Sequence, residues 1–223
     1  MILKTGKIVN LIRYGAGIPK SIYFNFRVLP FLQAIRLPII VSRKTKLQSL
    51  SGKVKISTPK TGMIRIGFGN IEMIDYRYQR TVVFLEGTLT FKGKCKIGLG
   101  SKLIVTGELE LGENFLISGD GTIICNKKIT IGDHSQMAWE SIIMDTDHHQ
   151  IYDENNRCIN EDKEVSIGNN VWIGARSFIL KGSSVKDGCI IGANTTVTKP
   201  SDALNAIIAG NPARVVKENI TWK

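Results

Sequence analysis

Between residues 165 and 199 an aliphatic residue returns at every sixth position, a spacing that few folds accommodate. The repeated positions are Ile167, Ile173, Ile179, Val185, Ile191 and Val197. Neither an α-helix, with about 3.6 residues per turn, nor a plain strand, with a period of two, produces this repeat. A prism of short parallel strands does, because each hexapeptide forms one face and turns one corner with its aliphatic side chain inward. We therefore predict an all-β solenoid of hexapeptide repeats.

The same step can be followed towards the N-terminus, so most of the chain belongs to the repeat. It passes through Leu85, Phe91, Ile97, Leu103 and Leu109, then Leu111, Ile117 and Ile123, then Ile131, Met137 and Ile143. A slip of two residues separates the three runs, which indicates bulged corners or small insertions. We predict a β-helix domain over residues 51–203, an irregular or partly helical N-terminal cap over 1–50, and a C-terminal tail with a short helix over 204–223.

The positive charge of the chain is concentrated in its first third. Residues 1–71 contain 13 Lys or Arg and no acidic residue, whereas the remainder contains 17 basic and 19 acidic residues. This distribution suits a solvated basic flank, or a surface that faces anionic lipid headgroups or a phosphate-bearing substrate. Because no nucleic-acid-binding motif accompanies the charge, nucleic acid is not an expected partner.

Cysteine usage favours a reducing compartment. Cys95 and Cys189 lie at inward, small-residue positions of the repeat, and the chain contains no C-x-x-C pair, so we predict buried free thiols. The sequence has neither a run of about 18 uncharged apolar residues nor an apolar stretch followed by a cleavage site. We expect a cytoplasmic protein, peripheral at most to the inner face of the membrane.

One long polar stretch interrupts the repeat. Residues 145–164 contain Asp145-Thr-Asp-His-His-Gln-Ile151 and a further run rich in acids and amides. We predict a loop that leaves the solenoid, and loops on rigid scaffolds often carry catalytic residues. Two of the three histidines of the chain, His148 and His149, lie in this loop. His134 follows a regular repeat position, so we expect it at a surface corner.

Three ordered motifs carry a family resemblance. They are Ile167-Gly-Asn-Asn-Val-Trp-Ile-Gly-Ala175, Ile191-Gly-Ala-Asn-Thr-Thr-Val-Thr-Lys199 and Ala209-Gly-Asn-Pro-Ala-Arg-Val-Val216. Together they resemble the hexapeptide-repeat acyltransferases, most nearly the sugar and capsular or O-antigen polysaccharide O-acetyltransferases of the maltose/galactoside acetyltransferase-like group. The resemblance implies a left-handed parallel β-helix and a homotrimer that binds acetyl-CoA between subunits. The N-terminal segment departs from the maltose and galactoside enzymes, which favours a larger or lipid-linked glycan acceptor.

Acetyl transfer to a hydroxyl needs a base that takes the hydroxyl proton, and histidine suits this task because its pKa lies near neutrality. By resemblance, His149-Gln150-Ile151 matches the His-Pro-Leu/Ile of the sugar acetyltransferases. His149 is therefore the expected base, with His148 as its alternate. We expect Asp145 or Asp147 to orient the imidazole or to stabilise its charged form.

The resemblance also implies the residues that bind the coenzyme and the acceptor. The small residues expected beside the pantetheine arm are Ala175 and Ala193. The polar or cationic residues expected beside the adenine and phosphates are Thr198, Lys199, Arg214 and Lys217. The residues expected to stack on the acceptor, hydrogen-bond it or line its cleft are Trp139, Glu140, Arg157 and Trp172.

Several alternatives remain open. A γ-type carbonic anhydrase shares the architecture but binds zinc through three histidines, and the spacing of His134, His148 and His149 does not fit that ligand set, so no metal is expected. N-acetylation of a nucleotide-linked amino sugar and O-acetylation of serine use related chemistry. A non-catalytic β-helix scaffold would tolerate the loss of His149 and would not bind acetyl-CoA.

Overall fold

The repeat forms three parallel sheets that successive strands enter in rotation. The computed structural model describes residues 2–69, 75 and 78–222. Each strand from β1 to β17 pairs in parallel with the strand three places later along the chain. Strand β18 is the last strand of the third sheet. Three strands therefore complete one turn, and the predicted parallel β-helix is confirmed.

The first sheet contains β1 (Ile39–Val41), β4 (Ile64–Ile66), β7 (Cys95–Ile97), β10 (Phe115–Ile117), β13 (Gln136–Met137), β16 (Trp172–Ile173), β19 (Ile190–Ile191), β21 (Ile207–Ala209) and β22 (Arg214–Lys217). The second sheet contains β2 (Lys46–Leu50), β5 (Val82–Leu85), β8 (Lys102–Val105), β11 (Thr122–Cys125), β14 (Ile142–Met144), β17 (Phe178–Ile179) and β20 (Thr196–Val197). The third sheet contains β3 (Lys53–Ile56), β6 (Thr88–Phe91), β9 (Glu108–Leu111), β12 (Lys128–Ile131), β15 (Val165–Ile167) and β18 (Ser184–Val185).

The core is the column of inward aliphatic side chains. Every inward position that the repeat predicts, from Leu85 to Val197, is at most 2% exposed. The two-residue slips are small insertions and not bulges. Strands such as β9 are long enough to direct two side chains inward, Leu109 and Leu111. From β5 to the polar loop the turns therefore repeat after 20 residues, as Leu103 pairs with Ile123. From β15 to β20 the turns repeat after 18 residues, as Ile179 pairs with Val197.

Three corners join the sheets. The first corner joins the first sheet to the second, the second corner joins the second to the third, and the third corner joins the third back to the first. Many corner residues have left-handed backbone: Asp120, Glu140, Arg176 and Asn194 stack at the first corner with φ between 47° and 59°. His134 has φ 57° at the third corner, where it was expected.

All four cysteines are free, and Cys95 and Cys189 are buried, as predicted. Cys125 is buried as well. Burial is the main reason that the pKa of the Cys125 thiol is raised to about 12, followed by the neighbouring Asp145 carboxylate. These thiols contribute to the core as small apolar side chains.

The N-terminal cap is more regular than predicted. Helix α1 spans Ile2–Val28 and α2 spans Phe31–Ala34, and β1 already begins at Ile39, so the β-helix starts earlier than residue 51. Pro19, Pro30 and Pro38 favour irregular structure in a segment of this kind, but Pro19 lies inside α1 on its exposed side, and Pro30 precedes α2. In the described part of the chain, no helix combines the length and apolarity needed to span a bilayer.

Helix α1 closes the open end of the solenoid. Strand β1 is the edge strand of the first sheet, and side chains of α1 form the hydrogen bonds that a further strand would otherwise form. The Asn25 side-chain amide donates to the Ile39 carbonyl at 2.6 Å, and the Ile39 amide donates back to Asn25 Oδ1 at 3.2 Å. The Val41 amide donates to Ser21 Oγ at 2.8 Å. A Cβ on Gly17 would collide with the Val41 carbonyl, so glycine permits this close approach.

The predicted C-terminal helix is wrong. Residues 204–223 instead contain β21 and β22, which pair antiparallel. Gly210 and Pro212 turn the chain between the two strands, and β-branched Val215 and Val216 favour an extended backbone.

The amide of Asn25 should contribute strongly to stability. We expect Asn25→Ala to lower the free energy of unfolding by roughly 1–3 kcal/mol, because it leaves buried backbone groups of Ile39 unpaired. Urea denaturation measures this change. Tyr23→Ala, which alters an exposed side chain on the same helix, should stay within about 0.5 kcal/mol of the wild type. Equal losses for both variants would contradict this role of Asn25.

Candidate active site

The polar loop leaves the solenoid at the second corner, between the end of β14 and the start of β15. Its first residue, Asp145, is fully buried. The carboxylate of Asp145 accepts the backbone N–H of Asn126 at 2.7 Å and that of Lys127 at 2.9 Å. Because both oxygens are used in this way, Asp145 fixes the base of the loop to the preceding turn.

Asp147 pairs with a lysine from the next turn. Lys181 Nζ lies 2.6 Å from Asp147 Oδ2, and the Asn160 side-chain amide donates to the same oxygen at 2.9 Å. The hydrogen bond from Lys181, followed by that from Asn160, holds the pKa of the Asp147 carboxyl below its ordinary value. The Asp147 carboxylate therefore stays charged to a lower pH than an unpaired aspartate does.

The backbone around His149 is held by three hydrogen bonds. The His149 amide donates to the Asp147 carbonyl at 2.7 Å, and the His149 carbonyl accepts from the Asn160 side chain at 2.8 Å. Asn160 Oδ1 accepts the Ile151 amide at 2.6 Å. Both loop histidines are exposed. His148 has φ 61°, and its amide donates to Thr146 Oγ1 at 3.0 Å.

Beyond Ile151 the loop folds back on itself. Tyr152 and Cys158 form an antiparallel bridge, and Asp153 Oδ1 accepts the backbone N–H of Asn155 and of Arg157, each at 2.9 Å. The Arg157 side chain is exposed on this outer part of the loop. Within the described residues, no group of three His, Cys, Asp or Glu side chains is arranged to hold a metal ion.

A cleft of about 330 Å³ lies after β20 and faces β22. It brings together Thr198, Lys199 and Arg214, three of the residues expected at the coenzyme phosphates. Lys217, at the end of β22, is exposed and does not line the cleft.

The polar loop and this cleft share the second corner. Strands β14, β17 and β20 are successive neighbours, so Asp145, Lys181 and Lys199 follow equivalent strand ends. Neighbouring strands lie about 4.8 Å apart, so Lys199 begins roughly 10 Å from the base of the loop. A base and cations on one corner can serve a proton transfer and a phosphate-bearing ligand together.

A second group of expected site residues occupies the first corner. The Arg176 amide donates to the Trp139 carbonyl at 3.1 Å, and the Asn194 amide donates to the Ala175 carbonyl at 3.0 Å. Trp139, Ala175 and Ala193 therefore form one column, with small residues above the indole. The Glu140 carboxylate is paired with Arg176 Nε rather than free for a sugar hydroxyl.

Trp172 lies apart from both corners, on the outer face of the first sheet. Its ring centroid is 6.1 Å from that of Trp222, and the Trp222 indole N–H donates to the Asn170 carbonyl at 2.9 Å. The C-terminal tail therefore covers part of this aromatic side chain.

The outer face of the second sheet separates the two corners and is apolar along one of its two columns, whereas the other column includes Lys102, Thr122 and Thr196. One column of partly buried side chains runs along it: Phe84, Ile104, Ile124, Met144 and Leu180. Phe178 stands beside this column and is 40% exposed. The outer face of the third sheet is entirely polar, with Lys53, Lys55, Thr88, Thr90, Glu108, Glu110, Lys128, Thr130, Ser166 and Ser184.

Sequence reasoning missed Asn160, Lys181, Arg176 and Trp222. A signal existed for Lys181, which precedes Lys199 by one 18-residue turn and therefore stands at the same corner. Asn160 and Trp222 lie outside the repeat, so the period gives no position for either residue.

Comparison with known proteins agrees with the fold. Residues 164–199 match the family described as bacterial transferase hexapeptide (six repeats). The solved structure of the polySia-specific acetyltransferase NeuO is similar over 83% of this chain and 81% of its own, with a TM-score of 0.66 and 24% identity. This likeness concerns the fold.

Curated relatives share part of the sequence. A polysialic acid O-acetyltransferase of Escherichia coli is 34% identical over 132 residues, which are 59% of this chain and 41% of the relative. A galactoside O-acetyltransferase of Escherichia coli is 33% identical over 110 residues, 49% of this chain and 54% of the relative. The chain spans about half the length of the curated relatives it matches.

Asn160 should hold the histidine loop in place. We expect Asn160→Ala to raise the rate of tryptic cleavage after Arg157 or Lys163 by about tenfold, because four side-chain hydrogen bonds within the loop are lost. Limited proteolysis followed by mass spectrometry measures the rate. The matched control is Asn155→Ala, which keeps the backbone bond to Asp153. Identical cleavage of both variants would contradict the bracing role.

Proposed function

We propose that this chain, whose residues 164–199 match the hexapeptide-repeat model of bacterial transferases, is an acetyl-CoA-dependent O-acetyltransferase. The acceptor is a sugar hydroxyl of a capsular, O-antigen or other extracellular polysaccharide, or of its lipid-linked precursor. The observation that carries this proposal is the shared second corner, which has exposed His149 on the loop and Thr198, Lys199 and Arg214 in the cleft. The names of the relatives, which include polysialic acid and galactoside O-acetyltransferases, support a glycan acceptor.

In this reaction His149 acts as the general base. The imidazole accepts the proton of the sugar hydroxyl while the oxygen attacks the thioester carbonyl. The tetrahedral intermediate then collapses, the carbon–sulfur bond breaks, and the imidazolium returns its proton to the departing coenzyme thiolate. The products are the acetyl ester and coenzyme A. Asp147 acts as a positioning residue, since its carbonyl holds the His149 amide and its carboxylate is fixed by Lys181.

The cleft supplies the groups for the nucleotide end of acetyl-CoA. Lys199 and Arg214 are both exposed cations that can pair with phosphate oxygens. Ala175 and Ala193 suit the pantetheine arm because small side chains let a ligand approach the backbone. They belong to the first corner, on the other side of the second sheet from Lys199. A complete site therefore needs the first corner of one copy beside the second corner of another.

A homotrimer meets this requirement, and the second sheet is its proposed interface. The apolar outer column from Phe84 to Leu180 lies between the two corners, so its burial against a neighbour brings opposite corners of two copies together. The polar third sheet remains in water. Cyclic symmetry then repeats the same site at each interface.

The proposed place of action is the cytoplasmic face of the membrane, where lipid-linked glycan precursors would be met. Its support is the acid-free basic segment 1–71, which suits contact with anionic headgroups.

The loss of His149 tests this mechanism directly. We expect His149→Ala to lower kcat by about 10²–10⁴ while acetyl-CoA binding persists, because only the proton acceptor is removed. The release of coenzyme A thiol in the presence of polysaccharide from the source organism measures kcat, and calorimetry measures binding.

Two further variants serve as controls. His134→Asn and His148→Asn keep a residue that tolerates left-handed backbone, and both should retain most of the activity. If His148→Asn loses activity and His149→Ala does not, His148 and not His149 is the base. Wild-type turnover in His149→Ala, or no acetyl-CoA binding by the wild type, would favour a non-catalytic scaffold.

A further inference from the structure

The two N-terminal helices expose a cluster of large apolar side chains at the end of the solenoid. Six residues form this apolar plate: Ile22, Tyr23, Phe26, Phe31, Leu32 and Ile35. Phe31 is 67% exposed and Leu32 is 73% exposed, the latter a high value for a leucine in a folded domain. The rings of Phe26 and Phe31 meet edge to face with centroids 5.8 Å apart, so the two helices present one continuous surface.

Packing on the β-helix does not account for the plate. The opposite side of α1 makes the contacts with the solenoid, through buried Ser21, Phe24 and Asn25. Phe26 and Ile22 point away from buried Phe24 by helical geometry, because each lies two residues from it, which is about half a turn. Large contiguous apolar patches on a folded protein commonly mark an interaction site.

Cations border the plate on both helices. Arg27 follows Phe26 and Arg36 follows Ile35, and both are exposed. At the side of α1, Lys20 donates to the carbonyls of Arg43 and Thr45, each at 2.6 Å. Burial, then the charges of Arg80 and Arg43, lower the pKa of Lys20, as expected where positive charges gather. The whole segment up to residue 71 lacks an acidic residue.

We propose that the apolar plate docks the protein on an anionic lipid bilayer, with its aromatic and aliphatic side chains in the interface and Arg27 and Arg36 at the headgroups. This narrows the proposed membrane contact to one face and does not depend on acetyl transfer. Interfacial helices bind membranes through the burial of apolar surface and through electrostatic attraction to anionic lipids.

The charge distribution favours a bilayer over a second copy as the occupant. Two copies that met through their plates would bring two acid-free basic segments together, and like charges repel. An anionic surface instead complements them.

Vesicle sedimentation of the full chain tests the proposal. The wild type should bind vesicles of equal parts phosphatidylglycerol and phosphatidylcholine, bind phosphatidylcholine alone more weakly, and lose binding to the anionic vesicles as salt is added. Phe31→Ser/Leu32→Ser should lower partitioning on anionic vesicles by about tenfold or more, because two exposed apolar side chains no longer enter the interface. Arg27→Gln/Arg36→Gln should lower it by about ten- to thirtyfold on anionic vesicles and leave neutral vesicles unaffected.

The matched control is Leu204→Ser/Val216→Ser, which alters two apolar residues far along the chain that are 58% and 61% exposed. It should bind as the wild type does. Failure of the wild type to bind anionic vesicles, or unchanged binding by Phe31→Ser/Leu32→Ser, would overturn the proposal. Light scattering provides a second test. If the wild type forms an oligomer that Phe31→Ser/Leu32→Ser does not form, the plate contacts a second copy and the proposal is overturned. The assay contains no acetyl-CoA, so failure of docking and failure of the proposed transfer are distinguishable.

Discussion

The in-register stacking of successive turns is the constraint on which the rest of this protein depends. Each strand pairs with the equivalent strand of the next turn, so a residue at a corner stands directly above its equivalent one turn earlier. Inward aliphatic side chains fix this register, since a shift by one residue would turn them towards water. Features distant in sequence therefore meet at corners, and Lys181 reaches Asp147 across one strand spacing.

The same stacking separates the functional groups into two columns. The second corner carries the histidine loop and the cationic cleft, and the first corner carries Trp139, Ala175 and Ala193. The second sheet, with its apolar outer column, lies between them. In the proposed enzyme this separation makes self-association part of the chemistry, because one copy offers the base while its neighbour offers the small residues for the coenzyme arm.

The period predicted the solenoid well because burial of aliphatic residues is a local, repeated requirement. Every position that the period marked as inward is buried. The structure at the ends of the solenoid did not follow from the period, because it depends on contacts that occur only once. Helix α1 closes the solenoid through Asn25 and Ser21, and Gly17 permits the approach of the helix. Nothing in a six-residue period indicates that these side chains replace a missing strand.

The positions of the candidate site residues agree only in part with what the sequence indicates. Thr198, Lys199 and Arg214 meet in one cleft, whereas Asp145 is buried against backbone amides. From the sequence, Asp145 and Asp147 were equal candidates for orienting the imidazole. Burial distinguishes them, and burial depends on how the loop folds.

The central claim is that one site uses residues from two copies, and mixed trimers test it most directly. Copies with His149→Ala and copies whose first corner is blocked by Ala193→Trp should each be inactive alone. Equal mixing should restore about a quarter of wild-type activity, because a complete site then needs an intact second corner beside an intact first corner. Isolated mixed trimers that remain as inactive as their parents, or full activity in Ala193→Trp alone, would contradict the account.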